Sequence, residues 1–401
     1  MKITFILPGI NLSGGIRVVS IYAKLLQDAG HQVTLVWPAP QPVPLLRKMR
    51  NLLKGRGWRE STSPRLSHID RLVVDRRVLE SYRPPADADV PDADVVVATW
   101  WETAEWVNAL SRAKGAKAYF IQAHEVFEGL PIDRVHATYR LALHKIVVAP
   151  WLKALMEQRY GDRIVDLVPN AVSHRQFFAA PRGKQKHPTL GFLYHLAPFK
   201  GTGLTLAAVR ELKQCFPDLH VIAFGENAPT TALPLEDWIE FHQTPRQDRL
   251  RDLYSRCDVW MSASSSEGFN LPAMEAMACR TPIVASRTGW PQEAIVNHVN
   301  GVLVDIDQVA GLVTGAKWIL DQADDKWREL SDAAFGTVAA ANWESSALLL
   351  ETALKHASER AATVRTDEPA RQIEASLSCR HARRGANLPP RSNRTFRYDA
   401  K

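Results

Sequence analysis

Two glutamates stand eight positions apart in the stretch SSSEGFNLPAMEAMACRTPIVAS, which runs from Ser264 to Ser286. Their neighbours are otherwise small or apolar. A carboxylate in such surroundings needs donors, and sugar hydroxyls suit it because one carboxylate accepts two of them at once. Pro272 fits the first turn of a helix, which sets Glu275 a few residues inside it and leaves Glu267 in the preceding loop. A favourable helix dipole accounts for Glu267 tolerably. It does not account for Glu275 within LPAMEAMAC.

The elements that must position these residues alternate along the chain. ITFIL reads as a strand, a helical pattern follows through Val18, Val19, Tyr22, Leu25 and Leu26, and VTLVW is the next strand. Further strands are expected at LVV (72–74), VVVAT (95–99), AYFIQ (118–122) and KIVVA (145–149). The alternation restarts at TLGFLYH and continues through LHVIAFG, DVWMSAS and TPIVAS, with helices between. Such alternation specifies α/β architecture with parallel, doubly wound sheets. The expectation is two Rossmann-like domains facing a central cleft, residues 1–175 and 176–357, joined near 174–188, with the last helix crossing back. Ligands of these sheets bind where strands exit.

Two strand exits stand out. PGINLSGGIRVVS opens a helix with Gly14-Gly15, with Ser13 at the N-cap position. Its backbone N–H groups can cradle a phosphate, or the pair is an ordinary turn. The pattern is neither G-x-G-x-x-G nor a P-loop. In GFLYHLAPFKGTG, His195 precedes Lys200-Gly201 by five. Lys200 either points a cation into the cleft or is a solvent-exposed turn residue.

The 401-residue chain is 46% hydrophobic, with a mean hydropathy of −0.20 and a net charge of +7. Its basicity sits in two appendages. Residues 41–60 carry six basic side chains against Glu60, and residues 361–401 carry nine against four acids. In the insert 41–64, Leu45, Leu46, Met49, Leu52 and Leu53 recur at helical spacing between Arg47, Lys48, Arg50 and Lys54. This is a basic amphipathic helix for an anionic membrane surface, or one packed on its own domain. The tail 361–401 reads as disordered, and its composition without stacking aromatics argues against nucleic-acid binding. Cys215, Cys257, Cys279 and Cys379 lie far apart, which fits a reducing cytoplasm. No apolar run approaches the about 20 residues of a membrane span. The D-A-D and D-I-D triplets at 87–89, 92–94 and 305–307 read as solvated loop acids, and no His/Cys cluster suggests a metal. Trp100, Trp101 and Trp106 either stack on a carbohydrate or lie in the core.

The segment EGFNLPAMEAMACRTPIVAS resembles the E-x7-E signature of the retaining family-4 glycosyltransferases, which have the GT-B fold. Gly14-Gly15, QAHE (122–125), VPNAVSHRQF (168–177), Lys200-Gly201, FGE (224–226) and ANWESSA (341–347) match in order, so the resemblance extends through about residue 357. It implies a nucleotide-sugar donor, with Glu275 on the ribose hydroxyls and Glu267 on the donor sugar. It places Lys200 and His195 at the diphosphate, together with the backbone of Gly14, Gly15, Gly268, Phe269, Asn270 and Leu271. Gly225 lies in the same donor pocket, and His124 faces the donor sugar and acceptor. His124, Glu267 and Lys200 are the expected catalytic set. The implied reaction is metal-independent glycosyl transfer with retention, requiring no cofactor. The implied acceptor is a glycan or a lipid-linked glycan, and the setting is cytoplasmic or peripheral on the inner membrane face.

Two departures from that pattern bear on the site. His195 stands where the family usually has arginine, and Asn170-Ala171-Val172-Ser173 replaces N-G-V-D. The alternatives are a non-catalytic nucleotide-sugar sensor or scaffold and a GT-B epimerase.

Overall fold

A computed structural model describes residues 1–40 and 66–363. The basic insert with Arg47, Lys48, Arg50 and Lys54, and the tail beyond residue 363, lie outside the described residues.

The first sheet holds β1 (Lys2–Ile6), β2 (Gln32–Pro38), β3 (Asp75–Leu79), β4 (Val95–Ala98), β5 (Ala116–Ile121), β6 (His144–Val147) and β7 (Val165–Leu167). Their spatial order is β3-β2-β1-β4-β5-β6-β7. The second holds β8 (Thr189–Leu193), β9 (His220–Gly225), β10 (Ile239–Gln243), β11 (Val259–Ser262), β12 (Ile283–Ser286) and β13 (Gly301–Val304), ordered β10-β9-β8-β11-β12-β13. Every strand pair is parallel. The interior strands β4, β6 and β12 are buried along their whole length, as a sheet covered on both faces requires.

One expected strand is corrected. LVV at 72–74 is irregular, and the strand begins at Asp75. β3 is an edge strand whose first four residues are exposed, so its sequence DRRVL carries charge where a central strand carries apolar side chains.

Among the described residues, two apolar clusters form the core. One fills the side of the second sheet covered by the helices Thr202–Cys215 and Val309–Asp321. The other runs from Phe5 and Phe120 in the first domain to Tyr254, Trp260 and Ala276 in the second, so the core crosses between the domains. Trp101 and Trp106 belong to this core, and Trp100 is half-buried against it.

The helix at 343–363 leaves the second sheet and returns to the first. Trp343 meets Tyr22 edge-on, with ring centroids 5.5 Å apart. Nearer its end, His356 Nδ1 lies 2.9 Å from Asp166 Oδ2, beside β7. No helix among the described residues is long and apolar enough to cross a membrane.

Candidate active site

The helix Leu271–Ala278 is built to start abruptly. Asn270 adopts a left-handed conformation (φ 85°) and its side-chain oxygen accepts from the Ala273 N–H at 3.3 Å. Its amide nitrogen donates to Ser262 Oγ at 2.8 Å, which ties the cap to the end of β11. Asparagine tolerates that backbone region because its short polar side chain bonds locally. Pro272 follows in the first turn.

Glu275 sits one turn further in and is only 4% exposed. Tyr254 donates its hydroxyl to Oε2 at 2.9 Å. Arg17, from the first turn of the helix Gly14–Asp28, donates to Oε1 at 2.5 Å. This buried carboxylate is therefore held from both sides of the cleft. Neither Arg17 nor Tyr254 had a role in the sequence reading. Arg17 stands 258 positions from its partner, so no local spacing could signal the pair.

Glu267 lies in the loop after β11. Lys200 Nζ is 2.8 and 2.9 Å from its two carboxylate oxygens, and Ser264 donates to Oε1 at 2.8 Å. The Lys200 turn depends on Gly201, whose φ is 68° and where a Cβ would stand 2.0 Å from the Ala263 carbonyl. Only glycine lets that turn press against the end of β11.

His195, five residues before Lys200, makes a local bond: its Nδ1 accepts from the Ala197 N–H at 2.9 Å. Burial, reinforced by the Lys200 ammonium, pushes the imidazole below its ordinary range. The ring is thus the neutral tautomer with hydrogen on Nε2, presenting one donor where an arginine would present a fork. Gly225 ends β9 against the Tyr194 carbonyl, which a Cβ there would approach to 2.2 Å.

From the first domain, the loop after β5 carries His124. Its Nε2 is 2.7 Å from the Tyr160 hydroxyl, and that hydroxyl is 2.7 Å from His136 Nδ1. Arg159, which can only donate, lies 3.4 Å from His136 Nε2. The order of donors follows: Arg159 to His136, His136 Nδ1–H to Tyr160, and the Tyr160 hydroxyl to His124. His124 therefore carries its hydrogen on Nδ1. Burial first, then the nearby Arg159 charge, bring its pKa down to about 4. The neighbouring Glu125 is fully buried and raised well above the usual carboxylate range by burial. It accepts from the Trp101 N–H at 2.8 Å and the Tyr119 hydroxyl at 3.2 Å.

The two halves of the site touch directly. At Gly268 an added Cβ would stand 1.8 Å from the Gln122 carbonyl of the opposite domain. The Trp151 indole donates to the Gly268 carbonyl at 2.9 Å, and the Trp151 N–H donates to Glu293 at 2.7 Å. Phe127 and Phe199 stack across the cleft with centroids 4.6 Å apart. Phe269 stacks on Trp290 behind the loop. Gly14 faces Leu271, so the starts of two helices oppose each other beside the Arg17–Glu275 pair. Ser13 occupies the N-cap of the first of them but makes no side-chain cap bond. Of the triplet acids, Asp89 pairs with Arg83 and Asp92 with Lys114, away from these residues in the fold.

Comparison with known proteins agrees with this architecture. Residues 174–335 match the family described as Glycosyl transferases group 1, a span that includes His195, Lys200, Glu267 and Glu275. A D-inositol 3-phosphate glycosyltransferase of Segniliparus rotundus is 29% identical over 160 residues, and one of Corynebacterium diphtheriae is 32% identical over 177. These alignments cover 35% and 41% of this chain, and only 36% and 41% of the relatives' own lengths. The sucrose-phosphate synthase of Thermosynechococcus elongatus superposes with a TM-score of 0.65 over 89% of this chain and 98% of its own, at 16% identity. Anabaena Alr3699/HepE in complex with UDP-glucose gives 0.65 over 90% and 100%, also at 16%. With its two facing Rossmann-like sheets, the chain has the GT-B fold.

Proposed function

We propose that this protein is a glycosyltransferase that moves a sugar from a nucleotide-sugar to a glycan or lipid-linked acceptor, with retention and without a metal. The observation that carries the reading is the meeting of Glu275, the Lys200–Glu267 pair and His124 where the two domains touch. The match of residues 174–335 to a glycosyltransferase family supports it, as does a fold shared with a protein solved with UDP-glucose.

In this account Glu275 accepts the ribose hydroxyls. Arg17 and Tyr254 use one site on each of its oxygens, and a carboxylate has about four in total, so two remain for a diol. Lys200 serves the leaving group. As the bond from sugar to diphosphate breaks, negative charge grows on the phosphate oxygens, and a cation fixed beforehand stabilises that charge more in the transition state than in the ground state. The backbone N–H groups at Leu271 and at Gly14-Gly15 add two helix ends with the same sign of field. Glu267 orients the donor sugar through its hydroxyls and keeps Lys200 in place. His124, neutral at neutral pH, offers an Nδ1–H toward substrate hydroxyls.

The test is a metal-free panel of UDP-, GDP-, ADP- and dTDP-sugars, each assayed for nucleoside diphosphate release with glycan, lipid-linked and inositol phosphate acceptors. Release with one donor, lost in Glu267→Ala, supports the reading. Binding without release under any acceptor favours the sensor alternative.

A further inference from the structure

The chemistry of Arg17 is not exhausted by its hold on one oxygen of Glu275. This residue comes from the first domain, yet its only ionic partner among the described residues is Glu275 of the second. The Arg17 side chain is mostly covered, with 15% exposed, and its guanidinium lies 5.4 Å from the centroid of the Phe177 ring. Phe177 is itself fully buried, so the arginine is pinned in direction. Holding one carboxylate oxygen takes one of its five N–H donors.

The other basic residues of the site have fewer donors to spare. Lys200 contacts both oxygens of Glu267, and His195 is neutral with one ring nitrogen spent on Ala197. A nucleoside diphosphate brings at least two negative charges into this space. If its ribose rests on Glu275, one turn inside the helix, its phosphates extend toward the helix start at Leu271. That start faces Gly14, three residues before Arg17 on its own helix. The Arg17–Glu275 and Gly14–Leu271 contacts are thus neighbouring rungs between the same two helices, which sets the guanidinium about one helical turn from the place where phosphates collect.

We propose that Arg17 is a donor-contacting residue, gripping Glu275 with one N–H and the donor diphosphate with others. It would replace the fork that His195 lacks, and it would supply it from the opposite domain. The consequence is that tight donor binding requires the two domains to be together, since a C-terminal half alone would lack its arginine. This inference rests on the donor site proposed above.

The test compares affinity with and without phosphates. Each of UDP, GDP, ADP and dTDP, and the nucleoside of whichever binds, is titrated against the unaltered protein, Arg17→Ala and Arg17→Lys. The expected result is a loss of about tenfold or more in diphosphate affinity for Arg17→Ala, as removal of a charge-assisted bidentate contact implies. Nucleoside affinity should fall several-fold less than diphosphate affinity, because only the lost hold on Glu275 reaches the ribose. Equal weakening of both ligands would show that Arg17 only holds Glu275, and no weakening would show that it is a structural ion pair; either overturns the proposal. Should Arg17→Ala fail to fold, Arg17→Lys decides by the same contrast, because a point charge cannot span carboxylate and phosphate together. Failure of the unaltered protein to bind any of the four diphosphates would instead remove the donor site, and Arg17's role with it.

Discussion

The ammonium of Lys200 bridges both carboxylate oxygens of Glu267, at 2.8 and 2.9 Å, although the two residues lie on different loops of the second domain. Glu267 has 9% of its side chain exposed and Lys200 has 22%, so removing the lysine strands a nearly buried acid. Lys200→Ala should cost about 1–3 kcal/mol of stability as well as abolishing turnover. The cycle with Glu267→Gln separates the two effects. Stability should return in Lys200→Ala/Glu267→Gln while activity does not, as measured by thermal melts and donor turnover.

Gly268 should be intolerant for a steric reason. Alanine there places its Cβ 1.8 Å from a backbone oxygen on the opposite domain, which no side-chain adjustment relieves. Gly268→Ala is expected to hold the cleft ajar and reduce kcat/KM by about a hundredfold, the effect of displacing reacting groups by roughly an ångström. The melting temperature should fall as well, because one apolar cluster runs through the seam that the alanine pries open. Small-angle scattering with and without donor would register the failure to close.

Tyr160→Phe deletes the hydroxyl that joins His136 to His124. Nitrogen-15 shifts of the His124 ring should then lose their fixed Nδ1–H signature. Turnover should fall by about five- to tenfold, the worth of one hydrogen bond. An unchanged tautomer in that variant would contradict the relay.

Acid should weaken the fold well before carboxylates titrate. Burial lowers the imidazole pKa of His68, His124, His136, His144 and His195, with His124 brought to about 4 from an ordinary 6.5. The unfolded chain therefore takes up protons first as pH falls below about 6.5, and the folded form only lower. Stability from these groups is complete above that pH and declines as pH drops toward 4. Urea melts at pH 7, 6 and 5 should show falling midpoints, with a smaller fall in His124→Asn.

Much of this was legible in sequence because it was local. Asn270, Pro272 and Glu275 belong to one helix start, and the strands ITFIL, VVVAT and TPIVAS are apolar runs bounded by turns. β7 and β10 are not legible, for the opposite reason. β7 has three residues, and β10 reads IEFHQ with a mostly half-buried face, so neither offers a continuous apolar signal. The tyrosine between two histidines, and Arg17 against Glu275, are tertiary pairings with no periodicity to reveal them. His195 stands out in the sequence as a departure, but its use of Nδ1 on Ala197 depends on a turn geometry that residue types do not encode.

The most direct test of the central claim is calorimetric titration of UDP-, GDP-, ADP- and dTDP-sugars into the unaltered protein and into Glu275→Ala, both shown to be folded. The account predicts saturable one-site binding of one donor without added metal, lost in the variant. Equal binding by both proteins would place the donor elsewhere and contradict the site.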